Sequence, residues 1–295
     1  AACIGNQFDL ETLVIVRQQS PVETTADLWP AVQAGFVLPQ GEVYPLLPGS
    51  GCDSDTNFLS STYSPALTYR FLHDRVQQAA YSLIPEARKQ STHLSIGQLL
   101  LRNAPGARRE EKIFEIVNQL NWGLELLTEP VERSELAQLN LSAGQKAKAA
   151  TAHKAAWDYF TVGRQLLPED RWQSQYELTL KLYEASAEAA YLNGDFESME
   201  RLAQVVMAKT KTILEKIRVY EIKSEALVAQ NKFMEAVNNG LQILKFLGVQ
   251  FPQEPSQDDI ILALQEASLA YHKKSIAELI NLPLMSDPIQ LATLR

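Results

Sequence analysis

Four histidines are the side chains best suited to acid–base or metal chemistry near neutral pH, and they are scattered. His73, His93, His153 and His272 lie far apart, and none has a Cys or a second His at metal-ligand spacing. The two cysteines, Cys3 and Cys52, are too few for a disulfide framework and fit a reducing cytoplasm. A phosphate-binding loop needs Gly-x-x-x-x-Gly-Lys-[Ser/Thr], and Ala143-Gly144-Gln145-Lys146 lacks the second glycine and lies in a predicted helix. Gly-x-Gly-x-x-Gly, Gly-x-Ser-x-Gly and the kinase set of Gly-rich loop, His-Arg-Asp and Asp-Phe-Gly are absent. Single carboxylates on amphipathic helices read as solvated faces. The expectation is a chain with no catalytic residues, no metal site and no cofactor of its own.

The surrounding elements point the same way. The 295 residues are 46% hydrophobic and 21% charged, enough apolar material for a core and too long for one compact domain. No stretch approaches 18 uninterrupted apolar residues, so no membrane span is expected, and no secretion signal is visible. Net charge is −8, of which residues 1–84 carry −5 and the remainder −3. An acidic balance repels phosphate backbones and argues against nucleic acid as a partner.

Proline divides the chain. Nine of fourteen prolines precede residue 131, and only Pro168 falls between 131 and 251, so a broken, mixed part should precede a long-helical one. The first part offers a helix over Phe8–Val16 and another over Thr24–Ala34 ending at Gly35. Strands are predicted at Phe36–Leu38, Val43–Leu47 and Leu67–Leu72, with a flexible loop over 49–66 and a helix over Asp74–Leu83. That is the layout of a winged helix, over residues 1–86. Residues 87–130 read as connecting helices, and 131–295 as helix after helix joined by short breaks.

A repeat runs through that last part. Gly144 is followed at +12 by Ala156, at +16 by Phe160 and at +24 by Pro168, the small, small, aromatic and proline marks of a tetratricopeptide unit. Ala187 with Met199 and Ala203, and Ser224 with Ala236 and Gly240, repeat the spacing at steps of 43 and 37 residues, against ~34 in the usual unit. A generic bundle using small residues at helix contacts is the plainer alternative, but it gives no reason for the offset to recur. The expected fold is mainly α: a small winged-helix-like α+β domain, then a TPR-like solenoid of antiparallel helix pairs. Such a solenoid presents one curved surface to partners. Lys148, Glu184, Glu188, Tyr191, Glu221 and Glu225, on the first helix of each pair, could face it; the plainer reading is solvated helix faces. Trp29, Trp122, Trp157 and Trp172 read as packing residues.

Three stretches carry a resemblance: Ala1–Leu13; Leu28-Trp29-Pro30-Ala31-Val32-Gln33-Ala34-Gly35; and Tyr69-Arg70-Phe71-Leu72-His73-Asp74-Arg75-Val76-Gln77-Gln78-Ala79-Ala80-Tyr81. The first reads Ala1-Ala2-Cys3-Ile4-Gly5-Asn6-Gln7-Phe8-Asp9-Leu10-Glu11-Thr12-Leu13. Together they resemble the segment after the ATPase module in large multi-sensor signalling kinases typical of cyanobacteria. The likeness runs on through Asn121–Leu127 and Glu132–Ala137. Those proteins carry a serine/threonine-kinase domain, a STAND-type ATPase, helical repeats, a GAF sensor and usually a histidine kinase. The resemblance implies that this chain is the winged-helix end of the ATPase plus the start of the repeats, a piece of something larger, with ATP or ADP bound elsewhere in the parent. It implies a cytoplasmic regulatory segment whose partners are flanking domains and other proteins. STAND ATPases often place a winged-helix histidine near the β-phosphate of ADP in a Met-His-Asp-like motif, and Leu72-His73-Asp74 is similar. His73 is thereby a candidate phosphate sensor; otherwise Asp74 caps the following helix and His73 packs. The alternative is the helical-repeat part of a STAND-class ATP-dependent transcription regulator.

Overall fold

A computed structural model describes residues 1–40, 67–252, 255–272 and 284–294. Among the described residues the chain is mainly helical with one small sheet, and it divides into two compact units, residues 1–143 and 144–295.

The first unit opens on a strand, β1 (Gln7–Asp9), where a helix over Phe8–Val16 is predicted. The helix, α1 (Leu10–Arg17), begins only after Asp9, whose Oδ1 accepts from the Thr12 backbone N–H at 2.6 Å. A capping aspartate thus splits one apolar run into two elements: Phe8 joins a sheet while Leu10 and Leu13 form the buried side of a helix. Next, α2 (Pro21–Gln33) starts from a capping box between Ser20 and Glu23, with Pro21 at its first position. Strands β2 (Val37–Gln40) and β3 (Thr68–Phe71) complete an antiparallel sheet in the order β1-β3-β2. Phe8 lies opposite Tyr69, and their rings stack 5.9 Å apart over Leu10, Leu13, Leu28, Val37 and Phe71. The predicted strand Val43–Leu47, Cys52 and the 49–66 loop lie outside the described residues.

Helix α3 (Asp74–Ser82) is followed by α4 (Glu86–Asn103), α5 (Ala107–Glu111) and α6 (Ile113–Trp122), with a 3-10 turn at Leu124–Leu126. The single helix predicted over Arg109–Leu127 is therefore three pieces. Ile96 and Leu100 of α4 are buried, as are Ile113, Ile116, Val117 and Leu120 of α6. These helices belong to the same unit as the sheet. Lys112 donates to Thr12 Oγ1 at 3.0 Å and reaches Asp9 at 3.3 Å, while Arg108 pairs with Glu11 at 2.5 Å.

The second unit contains α8 (His153–Leu166), the short α9 (Arg171–Ser174), α10 (Tyr176–Leu192), α11 (Phe196–Lys209), α12 (Ile213–Ala229) and α13 (Phe233–Phe246). It also takes the C-terminal turns of α7 (Pro130–Ala149). Gly144 of α7 lies against the fully buried Phe160 ring of α8, so the small-residue and aromatic marks do meet. Ala187 of α10 is buried with Met199 and Ala203 of α11, in a core shared with Val219, Ile222 and Ala226 of α12. Asp195 caps α11 by accepting from Ser198 N–H at 2.9 Å, after Gly194 turns the chain at φ +78°. In the third pair, Ser224 Oγ accepts from Asn239 Nδ2 at 2.7 Å, Ala236 is buried, and Gly240 faces open space. Helix α14 (Gln257–His272) follows, its Ile260, Ile261, Leu262, Leu264 and Leu269 exposed, and a last short helix spans Pro288–Thr293. The helix predicted over Ser275–Leu282 lies outside the described residues. Among those residues no helix is long and apolar enough to cross a membrane.

Candidate interaction surface

Helices α10 and α12 each present a polar stripe at helical spacing. Glu184, Glu188 and Tyr191 follow one another at i, i+4 and i+7 on α10, as Arg218, Glu221 and Glu225 do at i, i+3 and i+7 on α12. The two helices pack together, and the stripes meet. Glu188 accepts from Lys148 Nζ at 2.8 Å on one oxygen and from Arg218 Nη2 at 2.7 Å on the other. The second arm of Arg218, Nη1, donates to Glu221 at 2.9 Å. A guanidinium fork suits this bridging role, since its planar donors engage two carboxylates at once. A second tie joins the helices nearby: Tyr176 donates its hydroxyl to Glu215 Oε2 at 2.8 Å, the same oxygen that accepts Lys211 N–H at 2.7 Å.

The charges tune one another. Burial raises the Glu188 carboxyl, but Lys148 and Arg218 outweigh it and hold the group below the usual carboxylate range. Burial lowers Arg218, and its bonds to Glu221 and Glu188 more than restore it. Glu184 is different. Burial pushes its carboxyl up to about 7, with Glu215 and Glu177 adding to the shift against the pull of Arg218 and Lys181.

Of the six residues singled out from sequence, Lys148, Glu188 and Glu221 fall in one network. Glu184 sits one turn away, Tyr191 packs half-buried against the α10–α12 core, and Glu225 is exposed. Arg218, the residue that joins the carboxylates, carried no sequence signal: an Arg on a charged helix face reads as solvated until the neighbouring helix is placed. A shallow open pocket of about 280 Å³ lies at the start of α12, lined by Lys211, Thr212, Ile213, Lys216, Tyr220 and Phe246.

His73 occupies the N-cap position of α3 with extended backbone, exposed, and its side chain makes no capping bond. Neither Asp74 capping nor His73 packing holds: Asp74 is the first helical residue, so its side chain is past the cap position, and His73 faces solvent. A different histidine is built into the fold. His93 is buried, with Nδ1 2.6 Å from Gln119 Oε1, Nε2 2.9 Å from the Tyr81 hydroxyl, and Trp122 stacked on its ring at 5.2 Å. Gln119 spends its amide N–H on the Cys3 carbonyl at 2.7 Å, so its oxygen accepts from His93 Nδ1–H and His93 Nε2 accepts from Tyr81. This hub links α3, α4 and α6 and was not legible from spacing, because its members lie up to 116 residues apart. Among the described residues no group of three or more His, Cys, Asp or Glu is placed to hold a metal ion.

No protein-family model matches the chain, and no solved structure matches it. Among curated proteins, it is 25% identical over 325 aligned positions to hybrid signal transduction histidine kinase G of Dictyostelium discoideum. The alignment takes in 95% of this chain and 9% of that protein. The likeness is a relationship to a signalling kinase, and the chain spans a small fraction of that relative.

Proposed function

We propose that this chain is a non-catalytic regulatory and protein-interaction segment of a multidomain signal-transduction kinase. It comprises a winged-helix-like part and a TPR-like stack of helix pairs, works in the cytoplasm, and relays ATPase nucleotide state or partner binding to flanking kinase and sensor domains. The observation that carries this reading is the alignment of nearly the whole chain with a small part of a histidine kinase. The close approach of Gly144 to Phe160 and the burial of Ala187 in one core with Met199 and Ala203 support the repeat assignment in the first two units. The face that carries Lys148, Glu184, Glu188, Tyr191, Glu221 and Glu225 is the surface offered to partners. ATP or ADP belongs to the parent, and His73, exposed at the start of α3, is the residue offered to its phosphates. No DNA contact is assigned to the acidic first 84 residues.

The test is signal-dependent autophosphorylation of the full-length parent, compared with a version lacking residues 131–295. The deletion should leave the kinase able to phosphorylate while abolishing its response to signal; an unchanged response would refute the reading. Calorimetry of ADP against residues 1–295 should show no binding, and His73→Ala in the parent should alter nucleotide retention.

A further inference from the structure

One carboxylate between α10 and α12 has no counter-ion of its own. Glu184 is half-buried on α10, one turn before Glu188, and among the described residues it makes no hydrogen bond or ion pair. Two of the three cations nearby are committed. Arg218 divides its two arms between Glu188 and Glu221, and Lys148 is on Glu188. Lys181, on the same helix, is exposed. The anions nearby are fixed: Glu215 is pinned by Tyr176 and by the backbone N–H groups of Lys211 and Thr212, and Glu177 lies on α10 itself. The other helices packed on α10 supply no partner either. Arg164 of α8 lies against the rings of Trp157 and Tyr183, with Arg171 of α9 acting on it. On α11, Glu200 pairs with Lys223 and Arg201 with Glu197.

We propose that Glu184 is a proton-operated latch between α10 and α12. Ionised, its carboxylate competes with Glu188 and Glu221 for Arg218 and repels Glu215, which loosens the pairing of the two helices. Protonated, it is neutral, and Arg218 is left to the two carboxylates it already bridges. An ordinary glutamate is fully ionised throughout the neutral range, but this one changes charge within it. The folded carboxyl keeps its proton up to about 7, whereas an unperturbed one releases it at 4.5. The stabilisation is therefore complete below the lower value and is lost as pH rises through the higher. In a stack held by nearest-neighbour contacts, such a latch sets how tightly successive pairs hold together. This inference does not rest on the proposed kinase function.

The experiment uses residues 1–295. Carboxyl ¹³C NMR should show one glutamate, missing from Glu184→Gln, that titrates with a midpoint near 7; a Glu184 midpoint near 4.5 overturns the proposal. Hydrogen exchange, corrected for its intrinsic pH dependence, should show protection of α10 and α12 falling about tenfold between roughly pH 6 and roughly pH 8, the change expected of about one unit of differential protonation. Glu184→Gln should flatten that dependence. A flat wild type, or an equal slope in the variant, overturns it as well.

Discussion

Replacing Gly144 with alanine sets two known effects against each other, and the structure says which wins. In a helix interior alanine is favoured over glycine by about 1 kcal/mol. A Cβ built on Gly144, however, would stand 2.3 Å from Cε1, 2.6 Å from Cδ1 and 2.8 Å from Cζ of Phe160. Carbon pairs rest at about 3.5–4.0 Å, so ring or helix must yield by roughly 1 Å. Phe160 is fully buried and has no solvent side to swing into. Overpacking of this kind costs about 1–3 kcal/mol, so Gly144→Ala should destabilise by up to about 2 kcal/mol net of its better propensity. Gly240 is the control: it is also helical, but nothing lies within 4 Å of the added Cβ, and Gly240→Ala should stabilise by up to about 1 kcal/mol. Urea unfolding of both variants measures the difference. Combining Gly144→Ala with Phe160→Leu should recover part of the loss, giving a coupling that independent sites do not show. If Gly144→Ala stabilises as Gly240→Ala does, the close contact between α7 and α8 is refuted, and with it the repeat packing assigned here.

Other expectations follow from single contacts. Glu188→Ala leaves Lys148 and Arg218 facing each other without their shared carboxylate and should lower stability by about 1 kcal/mol, a loss that shrinks in high salt because the network is partly solvated. His93→Phe strands Gln119 and the Tyr81 hydroxyl and should cost about 1–3 kcal/mol, whereas Tyr81→Phe, which keeps the Gln119 bond, should cost less; thermal unfolding orders the two. Asp195→Ala removes the cap of α11 and should cost about 1 kcal/mol in the same assay. Burial raises the Asp9 carboxyl, but bonds from Thr12 and the charge of Lys112 hold it below its ordinary value. The stabilisation it brings is present at neutral pH and is lost as pH falls through that depressed value, so Asp9→Asn should make acid unfolding less steep.

The amino-acid sequence by itself determined the helical class, the mixed first part and several of the helix breaks, because those follow from periodicity, proline placement and turn residues that act locally. Asn193-Gly194-Asp195 marks the turn before α11 by its residue types alone, whereas the Ser20–Glu23 capping box, which starts α2 at Pro21 rather than at the expected Thr24, was missed. It also marked the small positions Gly144, Ala187 and Ala203, since closely approaching helices require them. The strand at Gln7–Asp9 escaped detection because Leu10, Leu13 and Val14 repeat at helical spacing directly after Phe8, and only pairing with Thr68–Phe71 selects the sheet. Lys148, Glu188 and Glu221 were legible as polar positions on one face of their helices; that they share a network through Arg218 was not. The His93 hub and the unpaired Glu184 were decided by tertiary structure alone. A hydrogen bond or a desolvated charge depends on which distant side chain arrives beside it, and that is fixed by how helices pack rather than by any neighbour along the chain.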